Sequence, residues 1–157
     1  MKIRKAKLEE VTEVRKWLVD TAKWLKDKDI YQWERFLSFE KTEVCLEDYY
    51  NDKLYVLENQ KGNIIGSLSY GEAEDIDTKL WSEYDNSYFI HRIIVSKDFR
   101  GMKNGEIIIN WAKELAINND KDLRLNCVEG NSFLYNYYSN QGFKYCGKKM
   151  GYHLFKI

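Results

Sequence analysis

One stretch of the sequence places glycines and basic side chains directly after an apolar run. The run Ile93 to Val95 leads into a loop that carries Lys97, Arg100, Gly101, Lys103 and Gly105. Free backbone N–H groups at the start of a following helix, together with the helix dipole, favour an anion such as a pyrophosphate. A strand, a loop with basic residues and a helix also fit an ordinary solvated connection, so this stretch alone leaves both interpretations open.

A second stretch, from Asn131 to Phe143, sets a tyrosine between a helix cap and a helix stop. Asn131 is a favoured N-cap residue, and Gly142 is a favoured residue for ending a helix. Tyr138 lies between them, and a phenol with its ordinary pKa of about 10 can donate a proton. Tyr138 also belongs to a run of aromatic residues, so a place in the core is the alternative.

His91 is the candidate for accepting a proton. It lies on a predicted strand, and the period of two puts it on the same face as Phe89, Ile93 and Val95. Imidazole titrates near neutral pH, which suits a general base. The alternative is a structural histidine bonded within the sheet. The rival proton acceptors are Glu72, Asp85 and a chain of ordered water molecules.

A substrate pocket could be lined by aromatic residues and approached past an acidic loop. The aromatic candidates are Trp33, Trp81 and Tyr84, each of which could instead pack in the core or on the surface. The polar segment from Glu72 to Asp85 carries six acidic residues and could attract a cationic amine. Its alternative is a solvated loop.

The elements that must position these residues follow from hydrophobic periodicity. Strands are predicted at 2–7, 54–57, 64–70, 87–95, 123–128, 145–148 and 152–155. Helices are predicted at 8–25, 31–39, 105–118 and 132–141, and the segment 71–85 is predicted to be irregular. This order gives a mixed sheet with helices on its faces, in the α+β class, and places strand 87–95 in the centre.

Length and composition bound the class of protein. The 157 residues predict one domain, 1–157, and equal totals of 25 basic and 25 acidic residues argue against a nucleic-acid partner. No apolar run approaches the roughly 18 residues of a membrane span, so no membrane partner is expected. Three scattered cysteines predict no metal site, and without a secretory signal they indicate the reduced thiols of a cytoplasmic protein.

Together the two stretches resemble the GNAT superfamily of acyl-CoA-dependent N-acyltransferases, in its small bacterial form. The family's loop pattern R-G-x-G-x-G is matched by Arg100, Gly101 and Gly105. Its late-helix pattern N-x-x-A-x-x-L-Y-x-x-x-G-F is matched at Asn131, Tyr138, Gly142 and Phe143. The resemblance covers nearly the whole chain and implies a twisted, mostly antiparallel sheet of about six to seven strands flanked by about four helices.

The resemblance implies acetyl-CoA as the cosubstrate and assigns the residues that would hold it. The backbone of Ile93, Ile94 and Val95 would contact the pantetheine arm. The pyrophosphate would be held by Arg100, Gly101, Met102, Lys103, Asn104 and Gly105. Asn131 would meet the pantetheine or the CoA tail, besides or instead of capping the helix.

The resemblance also implies the reaction, which is transfer of an acetyl group to a primary amine of a small molecule or peptide. Tyr138 occupies the general-acid position and would give a proton to the departing CoA thiolate, with His91 as the candidate base. No cysteine lies in the motifs as an acyl carrier, which favours direct attack in a ternary complex. The alternative is a GNAT-like module that binds acyl-CoA without transfer, and a homodimer is one option because dimers are common in the family.

The sequence departs from the family pattern in the loop 100–105. Lys103 stands where the family usually has glycine, and Asn104 stands where it usually has an apolar residue. A left-handed backbone at Lys103 would cost on the order of 1 kcal/mol. Asn104 tolerates that conformation better, which would move the tight turn by one position.

Overall fold

A seven-stranded sheet forms the centre of the computed structural model, which describes residues 1–157. The strands are β1 Lys2–Lys5, β2 Leu54–Glu58, β3 Ile64–Gly71, β4 Ser87–Val95, β5 Asp122–Val128, β6 Lys144–Lys149 and β7 Tyr152–Lys156. Their order across the sheet is β1-β2-β3-β4-β5-β7-β6. All neighbours are antiparallel except β4 and β5, which run parallel. The predicted central position of strand 87–95 is confirmed.

Five α-helices flank the sheet. They are α1 Leu8–Lys26, α2 Val44–Tyr50, α3 Asp75–Leu80, α4 Asn104–Asn118 and α5 Ser132–Asn140. Short 3-10 turns lie at Glu34–Leu37, Phe39–Glu43 and Lys97–Phe99. The α+β prediction of a mixed, mostly antiparallel sheet covered by helices is confirmed. None of these helices has the length and apolarity needed to cross a lipid bilayer.

Three of the helix assignments made from the sequence are wrong. In place of the helix predicted at 31–39, the chain forms 3-10 turns at Glu34–Leu37 and Phe39–Glu43, and Ser38 between them is extended at φ −92° and ψ 125°. The segment predicted as irregular at 71–85 contains α3. This helix has only six residues and a capping box made by Glu74 and Asp77, so it is too short to show a hydrophobic period. Helix α2, with seven residues, was not predicted for the same reason.

Helices cover the sheet on both faces and separate its core into layers. On one face, α4 buries Ile108 and Ala112 in a cluster that also contains Ile90 of β4. On the other face, α1 buries Leu18 in a cluster that contains Ile94 of β4. Ile90 and Ile94 are four residues apart, so regular alternation would put them on the same face. The alternation of β4 must therefore be interrupted between them.

A one-residue bulge in β4 is that interruption. Ser67 of β3 pairs with Ile94, and Ser69 pairs with His91. Two steps along β3 therefore oppose three steps along β4, so β4 carries one extra residue. Arg92 lies in this bulge with a left-handed φ of 49°. A non-glycine residue keeps such a backbone only where its surroundings fix it.

The bulge corrects the predicted direction of His91. The His91 ring stacks on Phe89, with centroids 6.2 Å apart and planes within 6° of parallel. Ile93 and Val95 pack instead against the cluster under α4. The prediction that His91 shares a face with Ile93 and Val95 is therefore wrong, because the extra residue at Arg92 reverses the alternation beyond it.

Candidate active site

The parallel strands β4 and β5 separate after a short paired stretch and leave an open strand edge. Their pairing covers Ser87 to Phe89 on β4 and Asp122 to Arg124 on β5. Beyond Phe89, the side of β4 that faces β5 has no strand partner. Unpaired backbone N–H and C=O groups on a strand edge can bind an extended chain that carries amide groups.

A cavity of about 1290 Å³ opens at this separation. It is larger than the roughly 300–1,000 Å³ of a common small-molecule site, so it has room for a long ligand and a second reactant. Seven of the predicted catalytic and cofactor-binding residues line it, namely His91, Ile93, Ile94, Val95, Arg100, Asn131 and Tyr138. The structure thus brings the two sequence stretches to one cavity. Gly101 to Gly105 lie outside its lining.

The loop 100–105 presents a row of free backbone N–H groups. Gly101 and Lys103 both have left-handed backbones, with φ values of 76° and 60°. Asn104 is the first residue of α4, so the tight turn stays at Lys103 and does not move to Asn104. No N–H group from Gly101 to Gly105 donates to a protein acceptor. Such a row at a helix N-terminus is suited to phosphate oxygens.

Gly105 allows the loop and α5 to approach closely. A Cβ atom at this position would lie 2.8 Å from the Tyr137 hydroxyl oxygen and 3.7 Å from the carbon that bears it. Of the two nearby atoms, only the Tyr137 hydroxyl oxygen would be too close to a Cβ atom at position 105. The glycine of the loop motif therefore has a packing reason in this chain, besides any contact with a ligand.

Arg100 ties the loop to the rest of the protein through its side chain. Its Nε donates to the Val95 carbonyl at 3.1 Å, and its Nη2 donates to Thr21 Oγ1 at 3.0 Å. Its guanidinium also lies over the Trp24 ring, 4.8 Å from the centroid. Burial lowers the pKa of Arg100 from its usual range. The guanidinium is thus engaged with β4 and α1 and fixes the loop in place.

Asn131 caps α5, as the sequence predicts. Its Oδ1 accepts a hydrogen bond from the Leu134 N–H at 3.1 Å. Its Nδ2 donates to Gln32 Oε1 at 3.0 Å, which joins α5 to the segment after α1. The C-terminal stop is confirmed as well, because Gly142 has a φ of 84°. The contact of Asn131 with CoA remains a prediction.

Tyr138 is held in the core while lining the cavity. Its side chain is only 6% exposed and packs on Phe143 and Phe155. Its hydroxyl makes no hydrogen bond within the protein, and the residue lines the cavity. Burial, with smaller contributions from Cys127 and Tyr137, raises the pKa of Tyr138 above its usual range. A phenol in this setting keeps its proton and suits a donor rather than a base.

His91 is paired with an aspartate that sequence reasoning did not single out. Its Nε2 lies 2.8 Å from Oδ2 of Asp77, whose side chain is fully buried. Asp77 lies in the segment expected to attract an amine, yet its carboxylate faces inward. Its capping-box spacing after Glu74 was the only local signal that could have marked it.

A buried ion-pair network surrounds the bulge, and no pattern in the sequence predicted it. Arg92 donates to Asp48 from Nε at 3.0 Å and from Nη2 at 2.9 Å, and to Glu74 from Nη1 at 3.1 Å and from Nη2. Burial by itself would raise the pKa of Glu74, but the hydrogen bonds from Arg92 and the charges of His91, Arg92 and Lys53 outweigh it and lower that pKa to about 2. Burial raises the pKa of Asp48. The network joins β4 to α2 and to the start of α3.

The remaining candidates are divided between the cavity and other places. Trp33 lines the cavity. Trp81 is buried outside the cavity in a small cluster with Phe89, and Tyr84 packs against this cluster. The rival bases Glu72 and Asp85 are exposed and lie outside the cavity lining. From the acidic segment, Glu74 and Asp75 do line the cavity. No group of three or more His, Cys, Asp or Glu side chains comes together that could hold a metal ion.

Cys127 is the one cysteine that lines the cavity. It lies on β5 and is buried. Burial raises its pKa to about 12. Because the thiolate is the nucleophilic form, a thiol in this state is a poor acyl carrier near neutral pH.

The fold and this site define an acyltransferase class, and comparison with known proteins agrees. The model of the acetyltransferase (GNAT) family matches residues 13–143. The chain therefore belongs to the GNAT family and is an acyltransferase.

Individual relatives extend the match over nearly the full chain. A GNAT-family acetyltransferase from Listeria monocytogenes 4b F2365 is 29% identical, with a TM-score of 0.84 over 99% of this chain and 93% of that one. The uncharacterized N-acetyltransferase YesJ of Bacillus subtilis is 26% identical over 143 residues, covering 88% of this chain and 79% of that protein. A PaiA N-acetyltransferase from Thermoplasma acidophilum, solved in complex with coenzyme A, shares the fold with a TM-score of 0.73 at 17% identity, over 99% of this chain and 96% of that one.

Proposed function

We propose that this chain is an N-acetyltransferase that moves an acetyl group from acetyl-CoA to a primary amine of a small molecule or peptide. The observation that carries the proposal is the open edge of β4, which lines one cavity with the buried phenol of Tyr138 and leads along the chain into the free N–H groups of the loop 100–105. Residues 1–157 act as one domain in this proposal. The unpaired thiols at all three cysteines support a reducing compartment such as the cytoplasm.

Binding of acetyl-CoA would use backbone groups more than side chains. The N–H groups from Gly101 to Gly105 fit the pyrophosphate. The edge at Ile93 to Val95, which has no strand partner on the side of β5, fits the amide groups of the pantetheine arm. The coenzyme A complex of the Thermoplasma acidophilum relative supports this choice of cosubstrate. The side chain of Arg100 would act by fixing the loop.

The transfer would proceed by direct attack. An ammonium substrate first loses one proton to His91, and the neutral amine then attacks the thioester carbonyl carbon. A C–N bond forms, the C–S bond breaks, and its electron pair goes to sulfur. Tyr138 gives its proton to that sulfur and recovers one from the new amide nitrogen. The net reaction releases one proton for each ammonium acetylated.

A covalent route through an acyl-cysteine is disfavoured. The cavity contains one thiol, Cys127, and its pKa of about 12 keeps it protonated near neutral pH. The alternative of a module that binds acyl-CoA without transferring it would need only the loop and the β4 edge. The placement of Tyr138 and His91 on the same cavity favours the enzyme.

Two measurements on the full chain test the proposal. Acetyl-CoA at about 100 times its Kd is expected to raise stability by about 2.7 kcal/mol, seen as a higher Tm. A thiol-release assay over a panel of primary amines should then show turnover with at least one of them. An unchanged Tm would contradict both CoA-dependent functions. A raised Tm without turnover on a broad panel would favour the binding module.

A further inference from the structure

Asp77 is a buried carboxylate that contacts the cavity-lining His91, and both of its oxygens are hydrogen-bonded. Its side chain is fully buried. Its Oδ2 accepts from the Glu74 N–H at 2.8 Å and meets His91 Nε2 at 2.8 Å, and its Oδ1 accepts from Asn126 Nδ2 at 3.4 Å. A buried carboxylate needs a cation or strong hydrogen-bond donors to remain ionised. Among its partners, only His91 can carry a positive charge.

This contact decides which nitrogen of His91 carries the proton. An ionised carboxylate only accepts hydrogen bonds, so Nε2 must be the donor to Asp77. In the neutral ring the free lone pair is then on Nδ1, and this nitrogen makes no hydrogen bond within the protein. His91 lines the cavity, and its stacking on Phe89 limits rotation of the ring.

The charged and polar groups around His91 come from three elements besides its own strand. Arg92, the next residue on β4, pairs with Asp48 of α2 and with Glu74 at the start of α3. Glu74 is also close enough for the charge of His91 to lower its pKa. Asn126 of β5 is neutral. Asp77 is the carboxylate that bonds directly to the His91 ring, so it balances a proton taken up there most directly.

We propose that Asp77 is a positioning residue, which fixes His91 in the Nε2–H tautomer so that Nδ1 serves as the proton acceptor of the transfer reaction. The inference rests on the proposed function. In the step, Nδ1 takes one proton from the ammonium substrate, and the imidazolium formed keeps its Nε2–H bond to Asp77. No other bond is made or broken.

Nitrogen NMR of the free protein tests the tautomer without any need for activity. The chain has two histidines, and His153→Gln assigns the spectrum. We expect the Nε2–H form at His91 in the wild type near neutral pH and a mixture of both tautomers in Asp77→Ala. The signals of His153, which bonds to the Tyr145 hydroxyl, should not change. An Nδ1–H form in the wild type, or an unchanged His91 in the variant, would overturn the proposal.

Turnover provides the second readout. Asp77→Ala also removes the acceptor for the Glu74 N–H at the start of α3. Asp77→Asn is therefore included, because its amide oxygen can accept that hydrogen bond. Both variants are expected to lower kcat about 10- to 100-fold, with KM changed by less than about twofold, as for groups that orient a functional residue. The matched control is Asp120→Asn, an exposed acid in the turn after α4 and outside the cavity, which should keep wild-type turnover. Folded variants with wild-type kcat would overturn the proposal. A wild type with no turnover but the expected tautomers would contradict only the proposed function.

Discussion

Side chains at this site differ in whether burial or bonding controls their chemistry. Tyr138 is controlled by burial, which keeps its phenol protonated, and its hydroxyl has no partner in the protein. His91 is controlled by a direct bond to Asp77. The two groups therefore suit opposite proton transfers on one cavity.

Replacing Tyr138 by phenylalanine should remove the proton donor and little else. No protein group loses a hydrogen-bond partner, so we expect a folded variant with kcat lowered by about 10² or more and an unchanged Kd for acetyl-CoA. Because burial raises the pKa of Tyr138, the wild type should keep its donor above the ordinary phenol value of about 10. Steady-state rates and calorimetric titration with acetyl-CoA measure both effects.

Tyr135→Phe is the matched control for that variant. Tyr135 lies on the same helix but packs on Tyr145, His153 and Phe155, outside the cavity lining. Its kcat should stay near the wild-type value. Equal rates for Tyr138→Phe and the wild type would remove Tyr138 from the mechanism.

Gly105 offers a residue-scale test of close packing. Gly105→Ala places a methyl group 2.8 Å from the Tyr137 hydroxyl, so the variant should be less stable than the wild type or displace α5. Removing that hydroxyl in Gly105→Ala/Tyr137→Phe should restore stability, since alanine suits a helix better than glycine by about 1 kcal/mol. Urea unfolding of the four proteins in this cycle measures the coupling. Additive effects of the two changes would show that the contact is not the cause.

At the scale of elements, the bulge in β4 determines what the central strand presents to the cavity. The one-residue insertion turns His91 toward α3 and turns Ile93 and Val95 toward α4. The left-handed Arg92 at its centre is held by two carboxylates from other elements. The shape of the site thus depends on an ion-pair network that joins β4, α2 and the start of α3.

Removing the charge of Arg92 should destabilise the fold strongly. Arg92→Met keeps a non-glycine residue at the bulge but leaves Asp48 and Glu74 unpaired, with side chains only 7% and 22% exposed. We expect a loss of about 3–5 kcal/mol in the free energy of unfolding at pH 7. Lys148→Ala is the control, since its pair with Glu129 is half-exposed and should contribute less than about 1 kcal/mol.

The pH dependence of that loss follows from Glu74. Its folded-state pKa of about 2 lies below the usual 4.5, chiefly through the hydrogen bonds from Arg92, with the charge of His91 contributing. The stabilisation through Glu74 is therefore complete above pH 4.5 and is lost as pH falls towards 2. The difference between the wild type and Arg92→Met should therefore shrink below about pH 4.5. A difference that stays constant down to pH 3 would contradict this origin.

At the scale of the molecule, the cavity joins segments that are far apart in sequence. The bond from Asn131 to Gln32 spans 99 residues and connects α5 with the segment after α1. The bond from Arg100 to Thr21 spans 79 residues and connects the loop 100–105 with α1. The N-terminal helix and the segment after it thus form one wall of the site.

Gln32→Leu should weaken that connection. It leaves the Nδ2 of buried Asn131 without a partner, which costs about 1–3 kcal/mol in the free energy of unfolding. Gln60→Leu, at an exposed turn, is the matched control and should change stability by less than about 0.5 kcal/mol. Chemical denaturation of both variants measures the difference. Equal stabilities would mean that the bond contributes nothing net.

The sequence by itself determined the features that depend on local chemistry. These are the order of the strands and of the long helices α1, α4 and α5, the central place of β4, the Asn131 cap, the Gly142 stop and the two motifs that resemble the family. Each depends on residues within one element, where propensity and periodicity act. The short helices α2 and α3 were not predicted, because seven and six residues are too few to show a hydrophobic period.

Only the tertiary structure decided which side chains meet. The sequence left open whether the tight turn used Lys103 or Asn104, and it could not reveal that His91 turns away from Ile93. It also gave no reason to pair His91 with Asp77, or Arg92 with two distant acids. One inserted residue in a strand moves each side chain beyond it to the opposite face of the sheet. Buried charged side chains pair with groups that are close in space, whatever their separation in sequence. Neither effect leaves a local pattern in the chain.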